Sequence, residues 1–520
     1  MNPQSSLRAN TSPLDPSTRR LDRAACVLLF ALTVFRLWYG GAHQLLQDEA
    51  YYWQWSRHLD WGYYDNTPLL AVVIRVFTTL LGPTELGVRA GAVFCALVVS
   101  IFIYLIMRRL AGARVALASV AMASILPLFA LGADTMTQDP VQLAFWAATL
   151  YVVLLALDGR GWLWILAGAL AGLTAMAKLN GLLLLPSILL FLALSPAHRH
   201  WLRRPEPYLA AAIALAIFSP FVWWNHTHQN AFWLHIHAMG TRNGEHDPPL
   251  KWFWRFLGDQ LFLMSPLLML MFLRGLWVDG KRSVGGKNDA LLFLWCPSVV
   301  VFGATALLSL KSKVEGNWPA AAYVTAACLL AWALTEAWDS GARGRRWAAA
   351  AVGLSVLISA VILMPNLIYA VGYRFPNPSK DRTSELYGWR DMAARVQSER
   401  SAMGGDPFVF SVNYRMPSEM AFYLPGKPQT YSLFLKDRPN EYMFWENPDA
   451  LKGRDAVYVE DTDDLNHLDD LKAVFTRVEP QPELLLYRDP PYGRKPIRTI
   501  QIVRCYGFKG YDPLQWRDGW

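Results

Sequence analysis

Residues 42–68 read AHQLLQDEAYYWQWSRHLDWGYYDNTP, a polar, aromatic-rich stretch that holds the acidic pair Asp48–Glu49. Apolar segments over about 24–41 and 69–107 flank it, each long enough to enter a bilayer. A stretch of this kind between two such segments is a water-side loop or the floor of a site at the membrane interface. Trp and Tyr favour that interface because each carries an apolar body and a polar tip. Two carboxylates need a further reason to be there.

Outward from this loop, apolar runs recur along the first 370 positions. The chain has 520 residues, 53% apolar and only 17% charged, with 23 Trp. That composition describes a polytopic α-helical membrane protein rather than a string of soluble domains. Eleven spans are expected, over 24–41, 87–107, 114–133, 140–157, 161–177, 179–194, 206–224, 255–274, 290–309, 319–337 and 347–365. The short run 68–82, with Arg75 inside it, reads as an interfacial helix. The five cysteines show no paired spacing, and four lie inside apolar runs, so neither a disulfide framework nor a Cys metal site is expected.

The net charge of +8 is not a nucleic-acid signal, because its location sets its meaning. Arg19, Arg20 and Arg23 precede the first span, and Arg108, Arg109 and Arg114 join the second to the third. Further basic clusters lie at 195–206, 274–287 and 343–346. All fall on one side of an eleven-span count, which predicts a cytoplasmic segment 1–23. The outer loops are then 42–86, 134–139, 225–254 and 310–318. The transmembrane domain covers 24–370, and 371–520 becomes a domain on the outer side.

That last region changes texture. A helix over 387–403, short strands at 408–412, 430–434 and 456–460, a helix at 417–424, and strands at 471–476 and 483–487 predict a small α/β domain. Residues 508–520 read as an ordered tail, and Asp461–Asp463 as a solvated loop.

The outer loops hold the chemistry-bearing residues. Asp48 and Glu49 stand ahead of Tyr52, and Tyr64 and Asp65 close the same loop. Asp134 and Asp139 flank the next turn, where Asp139 before Pro140 also suits a helix start. Lys178 lies at the tip of the turn between the fifth and sixth spans, and Lys313, Glu315 and Asn317 precede Trp318–Pro319. Charges of both signs on one rim suit an ion-pair network around an anionic substrate. His226, His228, His235, His237 and His246 crowd one loop, and their paired His-x-His spacing leaves a divalent metal open as a ligand.

The segments DEAYYWQWSRHLDWGYYDNTPLLA from 48, LGPTELGVR from 81, AMAKLNGLLLLP from 175 and EGNWPAAAY from 315 resemble the bacterial GT-C membrane glycosyltransferases. The resemblance is to the dolichyl-phosphate-mannose protein mannosyltransferase-like group that includes lipid A aminoarabinose transferases. It covers about residues 24–370, and the tail looks like the periplasmic domain of the same enzymes. It implies inverting transfer of a sugar from a polyprenyl-phosphate donor to a periplasmic envelope acceptor, lipid A or another glycan. It implies catalytic roles for Asp48, Glu49 and Asp139, with Lys178 and Lys313 at the lipid phosphate. Tyr52, Tyr64, Asp65, Glu315 and Asn317 would support them or bind the acceptor. The chain departs from the group pattern in AspAsnThrPro at 65–68 and ThrGlnAspPro at 137–140.

The chemistry fits that implication. A hydroxyl or phosphate attacking sugar C1 needs a carboxylate to take or orient its proton. A phosphate leaving group needs positive charge but no second acid. No cofactor is required by such a step, and the expected partners are the lipid donor, a glycolipid or glycan acceptor and membrane lipids, for a monomer. A flippase for lipid-linked sugars would want polar, broken spans, and a non-catalytic assembly protein would tolerate loss of the loop acids.

Overall fold

The computed structural model describes residues 16–241, 250–364, 367, 372, 382–433, 439–445, 447–462, 467–488 and 495–510. Through residue 364 every described element is helical. Among the described residues seven helices are long and apolar enough to cross a membrane: Pro16–Ala42, Glu85–Leu110, Gln138–Ala156, Glu206–Thr227, Asp289–Ser309, Ala320–Asp339 and Ala342–Leu363. Lys251–Leu263 and Pro266–Ser283 pass only as a pair, and they meet at 113°.

Among the described residues seven or eight segments thus meet the length and composition of a span, where eleven are expected. Three expected spans are short helices: Ala113–Ile125, Leu163–Ala177 and Leu179–Leu194. Ala113–Ile125 has 13 residues, about 20 Å at 1.5 Å per residue against a hydrocarbon core of about 30 Å. It stops at Leu126, whose φ of −66° and ψ of 124° are what a following proline imposes on its neighbour. The expected span 255–274 is broken in its middle, where Ser265 takes φ 73° ahead of Pro266. Hydropathy registers none of these stops, because the residues on either side remain apolar. Leu69–Leu81 is a helix of 13 residues, short as expected.

The chain divides into two compact units. One comprises residues 1–40, 66–73 and 89–364; the other comprises 41–65, 74–88 and 365–520. In the first, the Leu163–Ala177 and Glu206–Thr227 helices approach through glycines. A Cβ on Gly168 would stand 2.4 Å from the Ala210 carbonyl oxygen, and one on Gly172 would stand 2.7 Å from Ile217 Cβ. Small residues four apart open one helix face to such backbone approach, which substitutes for the hydrophobic driving force that a bilayer lacks.

The second unit holds a six-stranded mixed sheet: β1 (Phe408–Ser411), β2 (Thr430–Ser432), β3 (Ala456–Asp461), β4 (Phe475–Pro480), β5 (Leu484–Arg488) and β6 (Lys495–Phe508). The order is β2-β1-β3-β6-β4, with β5 also on β6. β1 pairs in parallel with β2 and β3, and β6 runs antiparallel to its three neighbours. Side chains alternate between two cores. Val409, Val457, Val459, Ile500 and Ile502 pack with Trp389 and Met420, while Phe408, Phe410, Tyr458, Val503 and Cys505 pack with Phe475 and Phe508. A sheet covered on both faces explains why its strands read as unbroken apolar runs.

Three expectations need correction here. Residues 471–474 close a helix, Leu468–Val474, and the strand begins at Phe475. β6, the 14-residue strand that joins the sheet together, was not anticipated; its alternating basic and apolar residues hide a strand buried on both sides. Asp461 ends β3 and pairs with Arg498 at 3.3 Å, so it is no solvated loop residue. Asp463, His246 and the tail 511–520 lie outside the described residues.

Candidate functional site

Within the second unit, residues 41–65 fold against the C-terminal region. The helix Gln47–Arg57 carries Trp53, whose ring meets Phe422 edge-on at 5.0 Å, and Trp55, which stacks on Tyr63 at 4.4 Å. Tyr63 in turn donates its hydroxyl to the Trp55 carbonyl at 3.1 Å. Each such ring buries roughly 150–250 Å², so the aromatics of this loop are core residues first.

The same packing separates the two adjacent acids. Asp48 and Glu49 are successive residues on the first helical turn, so their side chains diverge by about 100°. Glu49 is fully buried and accepts from the Leu46 backbone N–H at 3.0 Å, which satisfies one of the open donors of the helix start. Asp48 is exposed, and its Oδ1 accepts from the Tyr414 hydroxyl at 3.1 Å.

Behind it lies a buried polar chain. The Tyr51 hydroxyl donates to Asp65 Oδ2 at 3.0 Å and accepts from the Glu441 backbone N–H at 2.8 Å. The Glu441 carboxylate accepts from the Tyr64 backbone N–H at 2.5 Å. Burial pushes the Glu441 carboxyl well above the usual carboxylate range, the Tyr64 N–H pulls it back, and Asp65 raises it further. Burial likewise drives the Tyr51 hydroxyl upward, with Asp65 and Glu441 adding to it. Tyr52 sits half-buried with its ring 4.8 Å from that of Trp55, and the Tyr64 side chain is fully buried.

The first unit holds a second network. Asp139 opens the Gln138–Ala156 helix and is buried. Its Oδ1 accepts from Lys178 Nζ at 2.6 Å and its Oδ2 from Asn317 Nδ2 at 2.6 Å. Lys178 ends the Leu163–Ala177 helix in an extended conformation, which turns its side chain toward Asp139. Gln142, one turn on from Asp139, donates to Asn180 at 2.6 Å, and Asn180 donates to the Trp318 carbonyl at 2.8 Å. Lys178 and Asn317, from two sequence-distant motifs, thus close on the Asp139 carboxylate.

Lys313 is not part of that network. It pairs with Glu315 at 2.5 Å in a half-exposed loop. The four described histidines within 226–246 do not converge either. His226 and His228 end one helix and His235 and His237 lie within the next, and residues two apart on a helix point nearly opposite ways. His228 stacks on Trp224 at 4.2 Å and contacts that residue's carbonyl at 2.8 Å, whereas His235 is buried and His226 and His237 are exposed. Among the described residues no group of three or more His, Cys, Asp or Glu side chains is arranged to hold a metal ion.

Residues 65–224 match the family model of dolichyl-phosphate-mannose-protein mannosyltransferase. Lipid A galacturonosyltransferase RgtD of Rhizobium johnstonii is 24% identical over 470 residues, which span 88% of this chain and 92% of the relative. Both matches are to glycosyltransferases. The fold of this chain is shared with ArnT from Cupriavidus metallidurans. The structure of that protein bound to undecaprenyl phosphate aligns with a TM-score of 0.61 and 16% identity, over 92% of this chain and 97% of ArnT. The apo structure gives 0.60 and 14%, over 92% and 98%. In this chain, Asp65, Asp139 and Lys178 fall inside the matched family segment, while Asp48, Lys313 and Asn317 fall outside it.

The residues that sequence reading missed differ in how visible they were. Gln142 and Asn180 carried a signal: one stands on the face of Asp139, and the other lies two places beyond Lys178 in the same motif. Tyr414 stands 366 positions from Asp48 and Glu441 stands 377 from Tyr64, and neither sits in a pattern of its own.

Proposed function

We propose that this glycosyltransferase moves a sugar from a polyprenyl-phosphate donor to lipid A, with inversion, at the periplasmic face of the bacterial inner membrane. The named activity of the Rhizobium relative and the undecaprenyl phosphate in the ArnT structure support the acceptor and donor classes. The observation that carries the catalytic reading is the divergence of the acid pair. Glu49 is consumed by the helix start, whereas Asp48 is exposed with one oxygen oriented by Tyr414.

In this reading an acceptor oxygen attacks C1 of the sugar as Asp48 takes its proton. The bond from C1 to the phosphate oxygen breaks, and its electron pair leaves on the polyprenyl phosphate. Within the first unit, Lys178, held by Asp139 and Asn317, is an ammonium suited to a lipid phosphate, so Asp139 acts as the holder of a lysine rather than as a base. Lys313 offers a second ammonium once released from Glu315. No cofactor enters these steps.

The test is the initial rate of transfer by purified, monodisperse Asp48→Asn, Glu49→Gln and Asp139→Asn proteins with a polyprenyl-phosphate sugar and lipid A. Asp48→Asn keeps shape and removes the proton acceptor, and should lower kcat by roughly 10²–10⁴-fold with unchanged melting. Glu49→Gln should keep most of its activity. A folded Asp48→Asn enzyme within a few-fold of the parent would remove Asp48 from the chemistry.

A further inference from the structure

In the first unit a cavity of about 210 Å³ opens beside the start of the Gln138–Ala156 helix. Its walls are mostly Ala, Val, Leu and Phe, interrupted by Arg36, Ser100, Ser124, Thr135, Thr137, Asp139 and Asn317. Arg36 comes from the Pro16–Ala42 helix, far along an apolar span, and only 7% of it is exposed. An ionisable side chain in such a place is costly unless something uses it.

The polar groups of the wall differ in what they have left to give. Ser100 and Ser124 spend their hydroxyl protons on the carbonyls of Ala96 and Val120, both at 2.8 Å, and so present lone pairs. Asp139 is neutralised by Lys178 and bound by Asn317. Arg36 is the contrast. Among the described residues, neither a hydrogen bond nor an ion pair ends on its guanidinium. The charge of Asp134 acts on it, without a hydrogen bond between the two. A planar fork of donors therefore faces a mostly apolar cavity in which the Ser100 and Ser124 hydroxyls act as acceptors and Asp139 is already engaged. An arginine fork matches the two oxygens of a carboxylate or phosphate better than any other common group. The hydroxyl lone pairs match sugar hydroxyls.

We propose that Arg36 is an anion-reading residue of the glycosyltransferase, binding a monoanionic oxygen group of the donor inside this cavity. That group is either the carboxylate of a uronic acid sugar or the phosphodiester that links sugar to lipid. The proposal rests on the polyprenyl-phosphate reading given above. It makes Arg36 a determinant of which donor is accepted, separate from the proton transfer assigned to Asp48.

The test uses the full-length protein in detergent with two probes, undecaprenyl-phospho-galacturonate and undecaprenyl-phospho-glucose. Dissociation constants are measured by calorimetry, and KM and kcat are measured beside them. Arg36→Met should weaken binding at least tenfold, with kcat changed much less than KM. Arg36→Gln, which keeps the amide donors and loses the charge, serves if the Met variant is not monodisperse. Loss confined to the galacturonate probe assigns the fork to a sugar carboxylate, and equal loss with both assigns it to the phosphodiester. Unchanged binding of both probes by a folded Arg36→Met or Arg36→Gln protein overturns the proposal, as does failure of the parent protein to bind either probe. Binding without turnover in the parent protein would instead overturn the reaction assigned to the enzyme and leave Arg36 as the anion reader.

Discussion

Glu441 shows how a single residue can matter without any mark in the sequence. It follows Pro439 and Asn440 in a stretch with no motif, yet its carboxylate holds the Tyr64 backbone and its own N–H holds the Tyr51 hydroxyl. Because burial raises its folded pKa, the folded state keeps a proton that the unfolded chain releases above about pH 4.3. Stability therefore falls as pH rises from that value toward the folded pKa. Glu441→Gln keeps an acceptor for Tyr64 and removes the titration. The variant and parent should melt together near about pH 4, and the variant should melt increasingly higher as pH rises above that. Parallel melting curves across that range would show that Glu441 is not held protonated. At this scale the acids and lysines of the first, second and fourth outer loops were legible as polar residues stranded between apolar runs. Their partners were not, because a hydrogen bond across hundreds of residues leaves no periodic trace.

For the elements, hydropathy located apolar segments well and measured them badly. Ala113–Ile125 and the bent pair at Met264–Ser265 end where a proline constrains its neighbour, which a windowed average smooths away. The glycines of the Leu163–Ala177 helix carry information that hydropathy also discards. Gly168 has no room for a methyl group beside Ala210, whereas Gly303, on Asp289–Ser309, has open space around it. Gly168→Ala should force the two helices apart and cost about 1–3 kcal/mol, typical of an overpacked contact. It should lower the melting temperature and yield, while Gly303→Ala should cost nothing. Thermal melts of the two variants side by side decide this, and equal melting would mean that the close approach relaxes freely.

Taken whole, the molecule assigns its first loop to the unit that its C-terminal third forms, and the loop's length of chain gives the physical reason. Residues 41–65 supply Trp53, Trp55, Tyr51 and Tyr63, too many aromatics to leave on a polar surface, and their partners Phe422, Tyr414 and Tyr442 come from the far end of the chain. Arg57 reports on this packing. It is half-buried, donates to Gln54 Oε1 at 3.2 Å and the Pro428 carbonyl at 3.5 Å, and lies 5.0 Å from the centroid of the Trp53 ring. Burial lowers its pKa below the usual arginine value, as expected for a side chain held away from water. A protein truncated after residue 370 keeps every apolar helix long enough to cross a membrane, but leaves these rings without their partners. Such a protein should insert in the membrane, lose transfer activity, and be cut by trypsin at Arg57 under conditions in which the full chain is resistant there. Mass mapping of the tryptic fragments from both proteins makes the comparison. If Arg57 resists cleavage equally in the truncated protein, the loop folds without the C-terminal region, and the orientation of Asp48 by Tyr414 loses its importance for the reaction.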